Sequence, residues 1–348
     1  MLYGAGGSFM HGFIKKYILK YFGDLEVPGV DVPLKALDDA AAIGDMILKS
    51  DSHVVKPIFF PGGDIGRLAV SGTVNDISVM GAQPIALACG LVLEEGLPLR
   101  DLQRILMSMR ETCLEADVAI VTGDTKVVER GGLGGCIINT SGVGFRTENL
   151  EKNLEVVRRY RGDFMGRWLL DSNLRAGDKI IVSGTIGEHG ISVLSAQDGL
   201  DFGGDVRSDV RPLNKMIQRM LGEVGGVVSM KDPTRGGLAD ALNEFAEKSG
   251  VGILIYEDRI PIRESVRAAC EMLGLDPLEI GNEGKVIIGV VREKAEDVLD
   301  FLRGTSEGRD AEIIGEVSDK FSGVVMETII GGKRIIPRPI GDPIPRIC

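Results

Sequence analysis

Histidine and aromatic residues are scarce in this 348-residue chain, which has three histidines, one tryptophan and 5% aromatic side chains. His11, His53 and His189 have no partner nearby in sequence, so neither a serine–histidine triad nor a histidine-rich metal centre can be assembled from them. Cysteine is sparse too. Cys89, Cys113, Cys136, Cys270 and Cys348 are odd in number, widely spaced and without a C-x-x-C pair, which excludes a disulfide framework and a zinc site. Basic charge is in deficit: a formal charge of -11 excludes an extended nucleic-acid or anionic-membrane surface as the main partner. The most apolar stretch, Ile85 to Leu93, falls well short of the roughly 20 residues a membrane-spanning helix needs. No secretory pattern opens the chain, so a reduced cytoplasmic protein is expected. Neither a G-x-x-x-x-G-K-[ST] loop nor a G-x-G-x-x-G after a strand occurs, which removes the common nucleotide loops.

What is present suits two mixed α/β domains of ordinary globular composition. Asp64 is placed to cap a helix from Ile65 towards Met80, and Ile85 to Leu93 reads as a buried strand. Leu99, Leu102, Ile105, Leu106, Met109 and Cys113 recur at helical spacing. Val118 to Thr122 reads as a strand broken at Gly123-Asp124, and Cys136 to Phe145 as another apolar run. The charged stretch from Glu148 to Arg167 reads as a connection between halves. In the second half, strands are expected at 179–183, 252–256, 285–291 and 313–317, and helices on the stripe Leu213 to Leu221 and from Leu238 to Lys248. The expected division is residues 1–160, residues 170–332 and a mobile, proline-rich tail over 333–348.

Carboxylates stand where elements end: Asp38-Asp39, Asp76 after Asn75, Asp124 and Asp232. Clustered acids repel unless cations lie between them, and magnesium favours one or two carboxylates together with substrate phosphates. Glycines 4, 6 and 7 would let backbone amides approach those phosphates, and Lys126 and Arg235 supply positive charge. Glu283, flanked by glycines in Gly281-Asn-Glu-Gly-Lys285, is a sterically open carboxylate before a strand. Each acid alone reads as a cap or turn residue; the set favours metal and phosphate.

The segments Asp38-Asp-Ala-Ala41, Asn75-Asp76, Gly123-Asp124-Thr125 and Asp232-Pro-Thr-Arg-Gly-Gly237 resemble the nucleotide-site signatures of the aminoimidazole ribonucleotide synthetase-like (PurM-like) superfamily. The run from Phe59 to Asp76 and the ending Pro345-Arg-Ile-Cys348 are similar to its HypE family of hydrogenase maturation factors. Tyr3 and His53 stand where that family often has histidine and phenylalanine. The resemblance implies an N-terminal ATP-binding and dimerisation domain, with Asp38, Asp39, Asp76, Asp124 and Asp232 on Mg2+. It further implies ATP on Gly4, Gly6, Gly7, Asp51, Thr73, Asn75, Thr125, Thr234, Gly236 and Gly237, and catalysis by Cys348, Glu283, Arg235 and Lys126. The implied activity is ATP-dependent dehydration of an S-carbamoyl group on Cys348 to a thiocyanate, source of the cyanide on the iron of nickel–iron hydrogenase. A HypF-like carbamoyltransferase would load the thiol, a HypC–HypD-like iron scaffold would accept the cyanide, and the enzyme would be a homodimer. Two alternatives stay open: another enzyme of the superfamily, such as a small-molecule kinase or selenophosphate synthetase, and a non-catalytic carrier that holds a ligand on Cys348.

Overall fold

The computed structural model describes residues 7–25, 27–200, 206–341, 343, 344 and 348. Two sheets organise it. The first comprises β1 (Val30–Val32), β2 (Ala41–Ile43), β3 (Met46–His53), β6 (Gln83–Glu94), β7 (Ala119–Val128) and β8 (Cys136–Phe145), in the order β1-β2-β3-β8-β6-β7. The short pair β4 (Phe59–Phe60) and β5 (Gly63–Asp64) stands apart. The second contains β9 (Lys179–Val182), β10 (Val227–Lys231), β11 (Gly252–Tyr256), β12 (Ile287–Val290), β13 (Glu312–Ser318), β14 (Gly323–Glu327) and β15 (Lys333–Ile336). Its order is β10-β12-β9-β13-β11-β14-β15. The helices in chain order are α1 (Gly7–Phe13), α2 (Leu19–Phe22), α3 (Ile65–Val79), α4 (Leu99–Ala116), α5 (Glu148–Tyr160), α6 (Glu188–Asp198), α7 (Asn214–Glu223), α8 (Gly237–Ser249), α9 (Glu264–Leu273) and α10 (Ala295–Arg303). No helix among the described residues is long and apolar enough to cross a membrane.

Helix α3 is the pivot. Asp64 accepts hydrogen bonds from the Gly66 and Arg67 amides at 2.7 and 3.1 Å, satisfying two of the orphan donors of its first turn. All its residues except Arg67 are buried, because the first sheet, α4 and α7 close around it. One apolar core joins Ile47, Ile77 and Leu150 to the second sheet. Another joins α3 and α4 to Ile191, Val266 and Ile344. The two domains therefore share their interior.

Three readings of the sequence are corrected. The strand expected to break at Gly123-Asp124 runs on to Val128, because glycine there permits close pairing with β6: a Cβ on Gly123 would lie 2.1 Å from the Cys89 carbonyl oxygen. The charged stretch after Glu148 forms α5, whose Leu150, Leu154 and Val157 are buried beneath its exposed acids and bases. The tail expected from Lys333 begins as β15, antiparallel to β14, so its first residues complete the second sheet.

Candidate functional site

Five segments converge on one cavity of about 290 Å³. Asp38 and Asp39 come from the loop before β2, Lys49, Asp51 and His53 from one face of β3, and Asp76 from the last turn of α3. Asp232, Thr234, Arg235 and Gly237 come from the loop between β10 and α8, and Glu283 from the loop before β12. The period-two alternation of a strand turns residues 49, 51 and 53 the same way.

Ligand oxygens of Asp39, Asp76 and Asp232 all lie within 4.8 Å of one another, an all-oxygen set that suits a hard divalent cation. Burial, reinforced by Asp39, pushes Asp232 up to about 7. Burial likewise raises Asp39, and raises Asp76 well above the carboxylate range. Asp38 stands to one side. It accepts from the Asp171 amide at 3.1 Å, and burial together with Asp171 raises it to about 6.

Two lysines keep these acids together. Lys231 Nζ lies 2.5 Å from Asp39, 2.9 Å from Glu244 and 3.2 Å from Asp171. Burial opposes its charge, but Asp171, Asp39 and Glu244 more than offset that and hold it well above its ordinary value. Lys49 Nζ lies 2.6 Å from Asp76 and 3.5 Å from Asp51. Sequence reasoning named neither lysine. Lys49 was signalled by its two-residue spacing from Asp51, and Lys231 by its place beside Asp232; Asp171, in the link between domains, carried no signal.

The chain's own end enters this cavity. From β15 the tail crosses α8, where Arg338 Nε lies 2.9 Å from Asp240 and Nη1 lies 3.3 Å from Glu247. The Ser8 amide donates to the Pro339 carbonyl at 2.9 Å. Gly7 has φ +56°, and a Cβ there would lie 2.4 Å from that carbonyl, so only glycine lets the N-terminal segment and tail meet. Ile344 is buried, and Cys348 lines the cavity with Sγ 3.6 Å from Arg235 Nη1. Glu283, 4% exposed, shares the cavity. Burial, with Asp232 and Asp209 nearby, raises its carboxyl well above the usual range.

Other expected residues lie elsewhere. Thr73 is turned into the core, 2.6 Å from the Thr140 hydroxyl. Asn75 is a bracket: its side chain donates to the Arg211 carbonyl at 3.1 Å and accepts from the Leu213 amide at 2.8 Å. Gly236, at φ +74°, precedes the first turn of α8. Asp124, Thr125 and Lys126 are exposed on β7 at the sheet's edge, with Asp124 paired to Lys126 at 3.1 Å, and do not line this cavity. Gly4 and Gly6, Tyr3, and residues 345–347 of the terminal motif lie outside the described residues.

Residues 37–145 match the N-terminal domain of AIR synthase related protein, and residues 175–327 match its C-terminal domain. A putative hydrogenase expression/formation protein of Methanocaldococcus jannaschii is 51% identical, covering 100% of this chain and 98% of the relative. The carbamoyl dehydratase HypE of Azotobacter vinelandii is 44% identical over 100% of this chain and 96% of its own length. Among solved structures, a HypE–HypF complex gives a TM-score of 0.84 at 44% identity, covering 94% of this chain and 99% of that one. The hydrogenase maturation protein HypE in complex with ATP gives 0.80 at 42% identity, covering 99% and 98%.

Proposed function

The chain belongs to the HypE family of carbamoyl dehydratases, hydrogenase maturation proteins of the AIR synthase related fold, and from that premise we propose that it dehydrates an S-carbamoyl group on its own Cys348 at the expense of ATP. The observation that carries the proposal is the placement of the Cys348 sulfur in one cavity with Arg235, Glu283 and the Asp39–Asp76–Asp232 cluster.

A thiocarbamate carbonyl oxygen is a poor leaving group. ATP and Mg2+, held by Asp39, Asp76 and Asp232 with support from Asp38, Asp51 and Thr234, would supply the phosphoryl group that makes that oxygen leave as phosphate. The chain's own residues do the rest. Arg235 holds the sulfur end of the tail and balances negative charge beside it. Glu283 receives a proton from the carbamoyl nitrogen. Two must depart: Glu283 takes one as the oxygen is phosphorylated, and the leaving phosphate carries off the second as the carbon–nitrogen triple bond forms. A buried carboxylate with a raised pKa is a stronger base than an exposed one, which suits that role. The net change is S-carbamoyl plus ATP to thiocyanate plus ADP and phosphate. The thiocyanate is the cyanide source for a hydrogenase iron held by a HypC–HypD-like scaffold, and a HypF-like enzyme loads the thiol.

Asp124, Thr125 and Lys126 reach a site only through a second copy. Strand β7 supports that arrangement, since it is an unpaired edge with Ile120, Val121 and Val127 exposed. The homodimer joins across it.

Mass spectrometry of the C-terminal peptide tests the proposal. Carbamoylated chain given Mg-ATP loses the mass of one water at Cys348, and E283Q slows that loss by about 100-fold or more while still binding nucleotide. A peptide unchanged in mass after ATP has been hydrolysed overturns it.

A further inference from the structure

Lys49 stands between the acidic cluster and the open cavity, and two cations have a claim on the same carboxylate. Its Nζ lies 2.6 Å from Asp76 Oδ2. Asp76 is also one of the three aspartates whose oxygens converge within 4.8 Å. A divalent ion bound by Asp39, Asp76 and Asp232 would therefore sit within a few ångströms of the Lys49 ammonium. The Lys49 and Asp76 side chains are largely buried, where like charges are weakly screened and repulsion is large. Asp51 gives Lys49 a second hold at 3.5 Å, which keeps the ammonium at the cluster rather than in solvent.

The two lysines of the site differ in freedom. Lys231 is locked among three carboxylates and balances the cluster permanently. Lys49 has one short contact and one long one, on a flexible stem with its head lining the cavity. A polyphosphate entering that cavity brings an alternative anion for the ammonium. We infer that Lys49 makes divalent-ion binding conditional on the nucleotide: it weakens the aspartates' hold on a bare ion, and that opposition is lifted when the ion arrives with phosphates. This rests on the reading that Asp39, Asp76 and Asp232 hold the ion. Because coupling between two ligands is reciprocal, the ion and the nucleotide tighten each other's binding by the same factor, and Lys49 sets much of that factor.

The experiment is a titration of the full chain with Mn2+ alone, followed by electron paramagnetic resonance, and again with saturating ADP. The wild-type chain binds bare Mn2+ weakly and gains strongly from ADP. K49M, which keeps the stem and removes the charge, binds bare Mn2+ about tenfold or more tighter and loses most of the gain from ADP. K49Q serves as a second neutral variant if K49M fails to fold, and K49R behaves as wild type. Unchanged or weaker Mn2+ binding by the neutral variants, in a chain where D76N does weaken it, overturns the inference alone. If D76N and D232N both leave Mn2+ binding unchanged, the metal reading of the aspartates fails and this inference falls with it.

Discussion

His53 is buried against α3, with Nε2 3.3 Å from the Thr140 hydroxyl, and burial lowers it from 6.5 to about 4. A histidine kept neutral in the fold but free to charge when unfolded costs stability as pH falls from its unfolded value through its folded one. The contribution is harmless above about pH 6.5 and grows down to about pH 4. H53F therefore loses less stability than the wild type between about pH 7.5 and about pH 5, read as urea midpoints at each pH. Lys231 gives the opposite kind of prediction. Its removal strips buried Asp39 of its close cation and takes one partner each from Asp171 and Glu244, which keep Lys248 and His11, so K231M is destabilised by about 3 kcal/mol in urea unfolding near neutral pH.

At the scale of elements, the segments that position the site were legible to different degrees. Helix α3 was readable because a capping aspartate preceded a long apolar run, and it fixes Asp76. The loop Asp232 to Gly237 was readable because glycine and proline punctuate it between a strand and a helix. Strand β7 misled, since Gly123-Asp124 has the composition of a turn and its need for glycine arises only from the neighbouring backbone of Cys89. Thr73 and Asn75 misled for a related reason: a polar pair in a site-like motif is equally useful as internal bracing, and which role wins depends on the direction each side chain leaves the helix. The docked tail was illegible as a contact, because its grip comes from partners distant in sequence: Asp240, Glu247 and the Ser8 amide. That grip is testable. R338A loosens the tail, and Cys348 is alkylated by iodoacetamide several-fold faster than in the wild type, as mass spectrometry of the terminal peptide records.

At the scale of the whole molecule, the exposed face of β7 is the surface through which the proposed homodimer would form. Val121 and Val127 are 65% and 68% exposed, an unusual state for valines on an edge strand. The double variant V121D/V127D elutes as a monomer in light-scattering chromatography and loses ATP-dependent dehydration, because Asp124, Thr125 and Lys126 no longer reach a neighbouring cavity.

Cys348 follows Ile336, the last residue of β15, by 12 residues and lies in the cavity of its own protomer. A reactant on so short a leash has a local concentration on the order of millimolar, whatever the amount of protein in the tube. Dilution that leaves the assembly intact leaves the dehydration rate constant unchanged, and a free small-molecule competitor rivals the cargo only when it too reaches the millimolar range. Throughput then belongs to the hand-offs at either end of each trip, where one protein must give and another must take.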